Sequence, residues 1–254
     1  MGWVFTGSSE FAALAAPFLA EGASLGERLM YVADDPDPAD VAGLASIAGP
    51  GALQVTSIAG VYGAGRLVDP QGQRATYAAA VDDALAAGFT GIRVAADSTS
   101  LVADERRLAA WIRWEVVADR LLSEHQITAM CAFDQKRVDA GRLRHLAAMH
   151  PLSSASSPVP QFRVFSAAGA LCAEGRLDSL AVTQIWLALD NLPRGTGVLV
   201  DLATATLTSH AVLTGLEQLC DYGVSVTIRG EDAALDGLRR SFTPYGHSLV
   251  LQEA

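Results

Sequence analysis

The sequence first shows its fold at residues 28–34, RLMYVAD, where an uninterrupted apolar run is followed at once by Asp34. A short apolar run of this kind is typical of a strand buried in a parallel sheet. A helical pattern precedes it, with a candidate cap at Ser9 and an end near Gly22; its apolar face carries Phe11, Leu14, Phe18 and Leu19. We therefore expect a helix packed against a buried strand.

The same alternation of helix and strand extends from this segment to residue 149. Strand patterns occur at 53–58, 91–96 and 127–133, and helical patterns at 37–48, 76–87, 104–124 and 139–149. This alternation predicts an α/β fold whose mainly parallel sheet has helices on both faces. The glycine-rich segment at 60–66, GVYGAGR, does not follow the first strand as a nucleotide-binding loop must, and we interpret it as a loop.

A boundary follows at residues 151–160, PLSSASSPVP, because three prolines and four serines hold neither a helix nor a central strand. We predict two domains, 1–152 and 161–254, joined by a linker at 153–160. The second domain reads as a smaller α/β sandwich. Its strand patterns lie within 162–176 and at 197–202 and 224–228, and its helical patterns at 180–191, 210–222 and 233–242.

The composition limits the classes of function. The 254 residues include 28 acidic and 18 basic side chains, a formal charge of −10, and half of them are hydrophobic. A chain this apolar is not disordered, and its acidic balance argues against binding nucleic acid or an anionic membrane. It contains no apolar run of the ~20 residues that a membrane helix needs, and no signal-peptide pattern. We expect a cytoplasmic protein.

The sequence lacks the common patterns of catalytic and metal sites. The three cysteines are scattered, which gives neither a disulfide framework nor a metal clip, and the five histidines are also dispersed. The one lysine, Lys136, follows no glycine loop, so there is no phosphate-binding P-loop. There is also no GxSxG nucleophile motif. We expect a protein that is not an enzyme and has no cofactor.

Three aspartates follow predicted strands of the first domain. They are Asp34, Asp97 and Asp134. If the strands are parallel neighbours, these carboxylates share the sheet edge at which α/β proteins bind ligands. The alternative is turn chemistry, because aspartate favours strand-to-helix turns and helix N-termini.

Glu115 interrupts the apolar face of the helix at 104–124. A carboxylate in that position must find a partner or have its pKa raised. One interpretation places Glu115 beside Trp111 in a pocket that senses a ligand. The alternative is an edge glutamate paired on the surface with Arg113 or Arg120.

Several segments of the first domain resemble the MEDS family, sensory domains similar to that of the dichloromethane-responsive repressor of methylotrophs. The similarity runs over about 1–152 and is carried by FLAEG at 18–22, GERLMYVAD at 26–34, GIRV at 91–94, Trp114-Glu115 and CAFD at 131–134. It implies a core like that of the RecA and KaiC ATPases without the P-loop, and the sensing of a small molecule. Our candidate ligand site within this domain includes Trp111, Trp114 and Glu115. Members often have a histidine-containing segment where this chain has WVFT, residues 3–6.

The second domain resembles the STAS domain of anti-sigma-factor antagonists over about 162–254. The similarity is carried by GRLD at 175–178, VLVDL at 198–202 and TLTSHAVL at 206–213. It implies a partner surface at Asp178, Ser209 and His210. His210 occupies the position of the phosphorylated serine, so the usual phosphorylation switch is absent, and Ser209 is interpreted as a helix cap.

Together these features predict a signalling regulator that is not an enzyme. The first domain would sense a small molecule, and the second would bind an anti-sigma-factor-like protein or another STAS-binding protein. Two alternatives remain: a structural module that forms a homodimer and has lost phosphorylation control, and a nucleotide-binding protein without a P-loop. The two resemblances carry the first interpretation.

Overall fold

The structure is a computed structural model that describes residues 1–49, 51–152, 159–189, 197–207, 225–231, 236 and 249–253. It divides into two compact units, the first containing Met1–Ala147 and the second containing the chain from Val159 onward. Within the described ranges, none of the helices combines the length and the apolar character that crossing a bilayer requires.

Strands and helices alternate along the first unit. They are β1 (Gly2–Phe5), α1 (Ser8–Ser24), β2 (Arg28–Val32), α2 (Pro38–Ala45), β3 (Leu53–Thr56), α3 (Ile58–Tyr62), α4 (Pro70–Ala86), β4 (Ile92–Asp97), a 3-10 turn (Thr99–Val102), α5 (Glu105–Glu124) and β5 (Ile127–Asp134). Helix α6 (Ala140–Met149) follows β5 in the chain.

The described strands of the first unit form one five-stranded sheet in the order β1-β5-β4-β2-β3, and every neighbouring pair is parallel. The prediction of an α/β fold with a mainly parallel sheet is therefore confirmed. Strand β1 was not predicted. It has only four residues and lies at the sheet edge, so its sequence carries little periodicity of its own.

The two faces of this sheet pack against different helices. Leu29 and Tyr31 of β2 belong to a buried cluster with α1, and Phe11 of α1 stacks on Tyr31 at 5.1 Å. Successive residues of a strand point to opposite faces, so Met30 lies on the other face, where Tyr77 of α4 is close by. Helices therefore cover both faces, as predicted.

Aspartate caps explain where three helices of the first unit begin. The side chain of Asp37 accepts the backbone N–H of Ala39, and Asp104 caps α5 in the same way through Arg107. Asp69 caps α4 and is followed by Pro70, so α4 begins six residues before the predicted residue 76. The predicted cap at Ser9 is wrong, because α1 begins at Ser8 and its N-cap residue is Gly7.

A buried arginine ties α1 to the sheet. Arg93 of β4 is 4% exposed; its Nη1 lies 2.5 Å from a carboxylate oxygen of Glu21 and its Nε 2.5 Å from one of Glu27. The guanidinium also lies over the ring of Phe18. A Cβ on Gly22 would come within 2.6 Å of Arg93 Cδ, so only glycine leaves room for this side chain.

The second unit contains a mixed sheet. Its described elements are β6 (Phe162–Ala167), β7 (Ala170–Leu177), α7 (Ser179–Leu189), β8 (Gly197–Asp201), β9 (Ala205–Leu207), β10 (Ser225–Gly230) and β11 (Leu249–Glu253). The strand order is β11-β10-β8-β7-β6, β6 and β7 are antiparallel, and β9 pairs with β7. The predicted helices at 210–222 and 233–242 lie almost wholly outside the described residues, as does most of the predicted linker.

Candidate functional site

The three predicted aspartates lie at one edge of the first sheet. Asp97 and Asp134 are the last residues of β4 and β5, and Asp34 lies two residues beyond β2. The strands β5, β4 and β2 are adjacent and parallel, so their carboxyl ends meet at the same edge. The structure thus brings Asp34, Asp97 and Asp134 to three neighbouring strand ends, which we call the acidic edge.

Asp97 and Asp134 make hydrogen bonds that close the turns after their strands. Asp97 accepts the backbone N–H of Thr99 at 3.1 Å, and Asp134 accepts that of Lys136 at 2.9 Å. Burial raises the pKa of Asp97, hydrogen bonds from Thr99 and the charge of Arg137 oppose this, and the charge of Asp34 adds to it. Turn chemistry, the alternative interpretation, accounts for these hydrogen bonds.

Asp34 is held by the loop that follows α3. Arg66 Nη2 lies 2.8 Å and Nε 3.1 Å from Asp34 Oδ1, so both nitrogens meet one carboxylate oxygen. Arg66 has a φ of +49°, which few residues other than glycine adopt. The glycine-rich segment is only partly a loop: its first residues complete α3, and its last residue supplies a cation to the acidic edge.

The face of the sheet opposite α1 carries a group of rings that we call the aromatic cluster. Tyr77 of α4 stacks on Trp114 of α5 at 5.9 Å, and Tyr62 of α3 lies 6.0 Å from Trp111. Trp111 also meets Phe133 edge-to-face at 6.2 Å. All five side chains are buried, and the hydroxyl oxygens of Tyr62 and Tyr77 are 3.0 Å apart. The predicted residues Trp111 and Trp114 are therefore two members of a larger aromatic core.

Glu115 lies within this buried region. Glu115 is only 6% exposed, so the alternative of a glutamate on the surface is wrong. Arg120, one of the partners expected for it there, pairs with Glu124. Burial raises the pKa of Glu115 to about 8, with a contribution from the charge of Asp119, while the positive charge of the chain's amino terminus and the Trp111 side chain oppose the increase. At neutral pH the carboxyl group is mostly protonated.

Other titratable groups near the aromatic cluster also favour their neutral forms. Burial raises the pKa of the Tyr62 and Tyr77 hydroxyls above their ordinary range, and does the same for the Cys131 thiol. The Glu115 charge contributes to the shift at all three groups. The side chains of Glu115, Tyr62, Tyr77 and Cys131 therefore favour their neutral forms at neutral pH.

A groove of about 420 Å³ opens beside the aromatic cluster, between β3 and the helices α3 and α4. Tyr77 belongs to both the groove wall and the cluster. None of the described residues that line the groove is charged; they are Met30, Gln54, Val55, Thr56, Gly60, Val61, Thr76, Tyr77 and Ala80. The groove thus offers a mostly apolar surface with a few neutral polar side chains.

The sequence pattern identified some residues of this site and missed others. Trp111 and Glu115 share one face of α5 at helical spacing. Tyr77 was missed, although the buried residues Gln73, Tyr77, Val81 and Ala84 recur along α4 at helical spacing, a signal available in the sequence. Tyr62 carried no signal, because its segment was interpreted as a loop.

The proposed partner surface of the second unit is described only at Asp178. This carboxylate accepts the backbone N–H of Leu180 at 2.9 Å and that of Ala181 at 3.2 Å, as a cap at the start of α7. Ser209 and His210 lie outside the described residues. The structure thus gives Asp178 a capping role, and the switch surface stays a prediction.

Comparison with protein-family models matches residues 1–151 to the family described as MEDS: MEthanogen/methylotroph, DcmR Sensory domain. Neither the search of curated proteins nor that of solved structures returned a match. Nothing in these comparisons supports a STAS domain in the C-terminal part of the chain. The matched residues include the acidic edge, the aromatic cluster, Glu115 and the groove.

Proposed function

Because the chain belongs to the MEDS family of sensory domains, we propose that its first unit senses a small molecule by binding it in the groove between β3 and α4. The volume of about 420 Å³ lies within the range of small-molecule sites, about 300–1,000 Å³. Its apolar wall with a few neutral polar groups also fits such a site.

One observation carries this proposal: Tyr77 lines the groove and also belongs to the aromatic cluster. Its ring stacks on Trp114 and its hydroxyl is hydrogen-bonded to that of Tyr62. A ligand that shifts Tyr77 must therefore disturb contacts of α3 and α5 as well. A signal requires that the ligand bind two arrangements of the protein with different affinities, and Tyr77 provides a contact through which they can differ.

Retention of natural small molecules tests this proposal. The full chain is dialysed against a low-molecular-weight cell extract, and the molecules it retains are identified by mass spectrometry. Ala80→Leu places a larger side chain in the groove wall, whereas Ala79→Leu makes the same change at an exposed neighbouring position of α4. We expect a retained molecule with the wild type and Ala79→Leu, and its loss with Ala80→Leu. Equal retention by both variants would contradict the proposal.

We propose that the chain as a whole is a regulator without enzymatic activity, whose second unit binds an anti-sigma-factor-like protein. The resemblance of residues 175–178 and 198–213 to a STAS domain supports this role. The test is a pull-down from the native cell with the full chain as bait, with and without the small molecule retained by the groove. Recovery of an anti-sigma-type kinase in a ligand-dependent amount supports this role. Recovery of the chain itself alone would favour the structural module instead.

A further inference from the structure

We infer that the groove selects a neutral ligand carrying one hydrogen-bonding group, which the side chain of Thr56 binds. This inference rests on the proposed function, because it concerns the same groove, and it adds the class of ligand. Three features support it: the uncharged wall, the state of the Thr56 hydroxyl and the space that Gly60 leaves beside it.

The absence of charge in the described wall sets the first limit on the ligand. A charged group loses water on entering a mostly apolar groove and regains that free energy only from an opposite charge or several hydrogen bonds. The wall offers neither, since its polar side chains are those of Gln54, Thr56, Thr76 and Tyr77, and the Tyr77 hydroxyl is already paired with that of Tyr62. The aromatic cluster behind Tyr77 is also uncharged at neutral pH. A neutral ligand is therefore favoured over a cation or an anion of the same shape.

The polar side chains of the wall are not equivalent. The hydroxyl of Thr76 donates to the carbonyl oxygen of Gly72 at 3.0 Å, so its proton is engaged within α4. Gln54 is exposed, and water competes for its amide. Thr56 is half-buried at the end of β3, and its hydroxyl has no hydrogen bond to any described residue. A ligand can therefore form a hydrogen bond with Thr56 without breaking one that the protein already has.

Gly60 keeps the Thr56 hydroxyl open to the groove. A Cβ at this position would lie 2.8 Å from Thr56 Oγ1, where any side chain would cover the oxygen. The Gly60 N–H is already satisfied, because it donates to Ser57 Oγ at 3.0 Å. Gly60 thus contributes empty space rather than a polar contact. The hydrogen-bonding group of the ligand is an alcohol, carbonyl or amide small enough to fit beside this glycine.

Four probes that share one carbon ring test the inference. Cyclohexanol, cyclohexane, cyclohexylammonium and cyclohexanecarboxylate are added to the full chain, and binding is followed by ligand-observed NMR and by tryptophan fluorescence. We expect cyclohexanol to bind most tightly and the two ions not to bind. Thr56→Val keeps the shape but removes the hydroxyl, so it should weaken cyclohexanol about fivefold and leave cyclohexane unchanged. Thr56→Ser should restore cyclohexanol binding, and Gly60→Ala should weaken it.

Two outcomes would overturn the inference. The first is a lack of preference for cyclohexanol among the probes, whether because an ion binds as tightly or because cyclohexanol does not bind. The second is equal cyclohexanol affinity in the wild type and Thr56→Val. Neither outcome decides the proposed function. That proposal is tested separately, by whether the wild type retains a natural small molecule that Ala80→Leu does not. Loss of cyclohexanol binding in Ala80→Leu, but not in Ala79→Leu, places the probe in this groove.

Discussion

The hydroxyl oxygens of Tyr62 and Tyr77 lie 3.0 Å apart in the buried interior of the first unit, one on α3 and the other on α4. This hydrogen bond joins the short helix after β3 to the long helix that forms the other wall of the groove. A buried hydroxyl needs a partner, so each tyrosine satisfies the other. The same hydrogen bond therefore holds a wall of the groove in place and contributes to the stability of the first unit.

Removing one of the two hydroxyls should lower the free energy of unfolding by more than half of what removing both would cost. Tyr62→Phe or Tyr77→Phe leaves the remaining hydroxyl buried without its partner, and we expect each to lower the free energy of unfolding by about 1–3 kcal/mol. The double variant leaves no orphaned hydroxyl and should cost less than the sum. Urea unfolding followed by tryptophan fluorescence measures the three values. Strictly additive losses would show that the hydrogen bond contributes nothing.

Glu115 should make the stability of the first unit depend on pH. Its pKa is about 8 in the folded protein and near the ordinary value of 4.5 when the chain unfolds. Between these values the folded state holds a proton that the unfolded state has released, so stability falls as pH rises from about 4.5 to about 8 and then levels off. Glu115→Gln cannot release this proton. As pH rises from about 4.5 to about 8, the free energy of unfolding of Glu115→Gln should therefore increase by a few kcal/mol relative to that of the wild type.

Unfolding curves at pH 5, 6.5 and 8 test this dependence. The control is Glu105→Gln, which removes an exposed carboxylate from the first turn of the same helix. We expect Glu105→Gln to follow the wild-type curve and Glu115→Gln to diverge from it as pH rises. Parallel curves for all three proteins would mean that Glu115 is ionised in the folded state.

Sequence patterns predicted the parallel sheet because its central strands are buried on both faces. Segments such as RLMYVA, residues 28–33, are apolar throughout and stand out from the helices around them. Edge strands lack that signal. Four-residue β1 and exposed β3 each pair with one neighbour, and only β3 was predicted. The start of α4 was misplaced for a different reason, because the predicted helix at 76–87 left out the cap formed by Asp69 and Pro70.

The candidate site was predictable only where one helix or one sheet edge defines it. Asp34, Asp97 and Asp134 share an edge by topology alone, and Glu115 breaks a visible apolar stripe on α5. The groove combines β3, α3 and α4, and its members meet through tertiary packing that no local pattern records. Tyr62 illustrates the limit, since its partner Tyr77 is fifteen residues away on another helix.

Arg93 should contribute more to stability than any exposed arginine of the first unit. Arg93→Met removes the cation that faces Glu21 and Glu27, and leaves Glu27, which is 14% exposed, without this partner. We expect a loss of about 2–4 kcal/mol in the free energy of unfolding. Arg120→Met is the matched control, because its pair with Glu124 is solvent-exposed and should cost at most about 0.5 kcal/mol. Equal losses for the two variants would contradict a structural role for Arg93.

Two glycines of the second unit should differ in their tolerance of alanine, although both have a φ near +80°. A Cβ on Gly169 would meet no atom within 4 Å, so Gly169→Ala costs only the backbone strain, about 1 kcal/mol. A Cβ on Gly175 would collide with the carbonyl oxygen of Gln161, the residue that directly precedes β6. Gly175→Ala must therefore also separate β6 from β7 and should cost at least twice as much. Thermal unfolding of both variants measures the difference, and equal losses would show that the two strands are not held this closely.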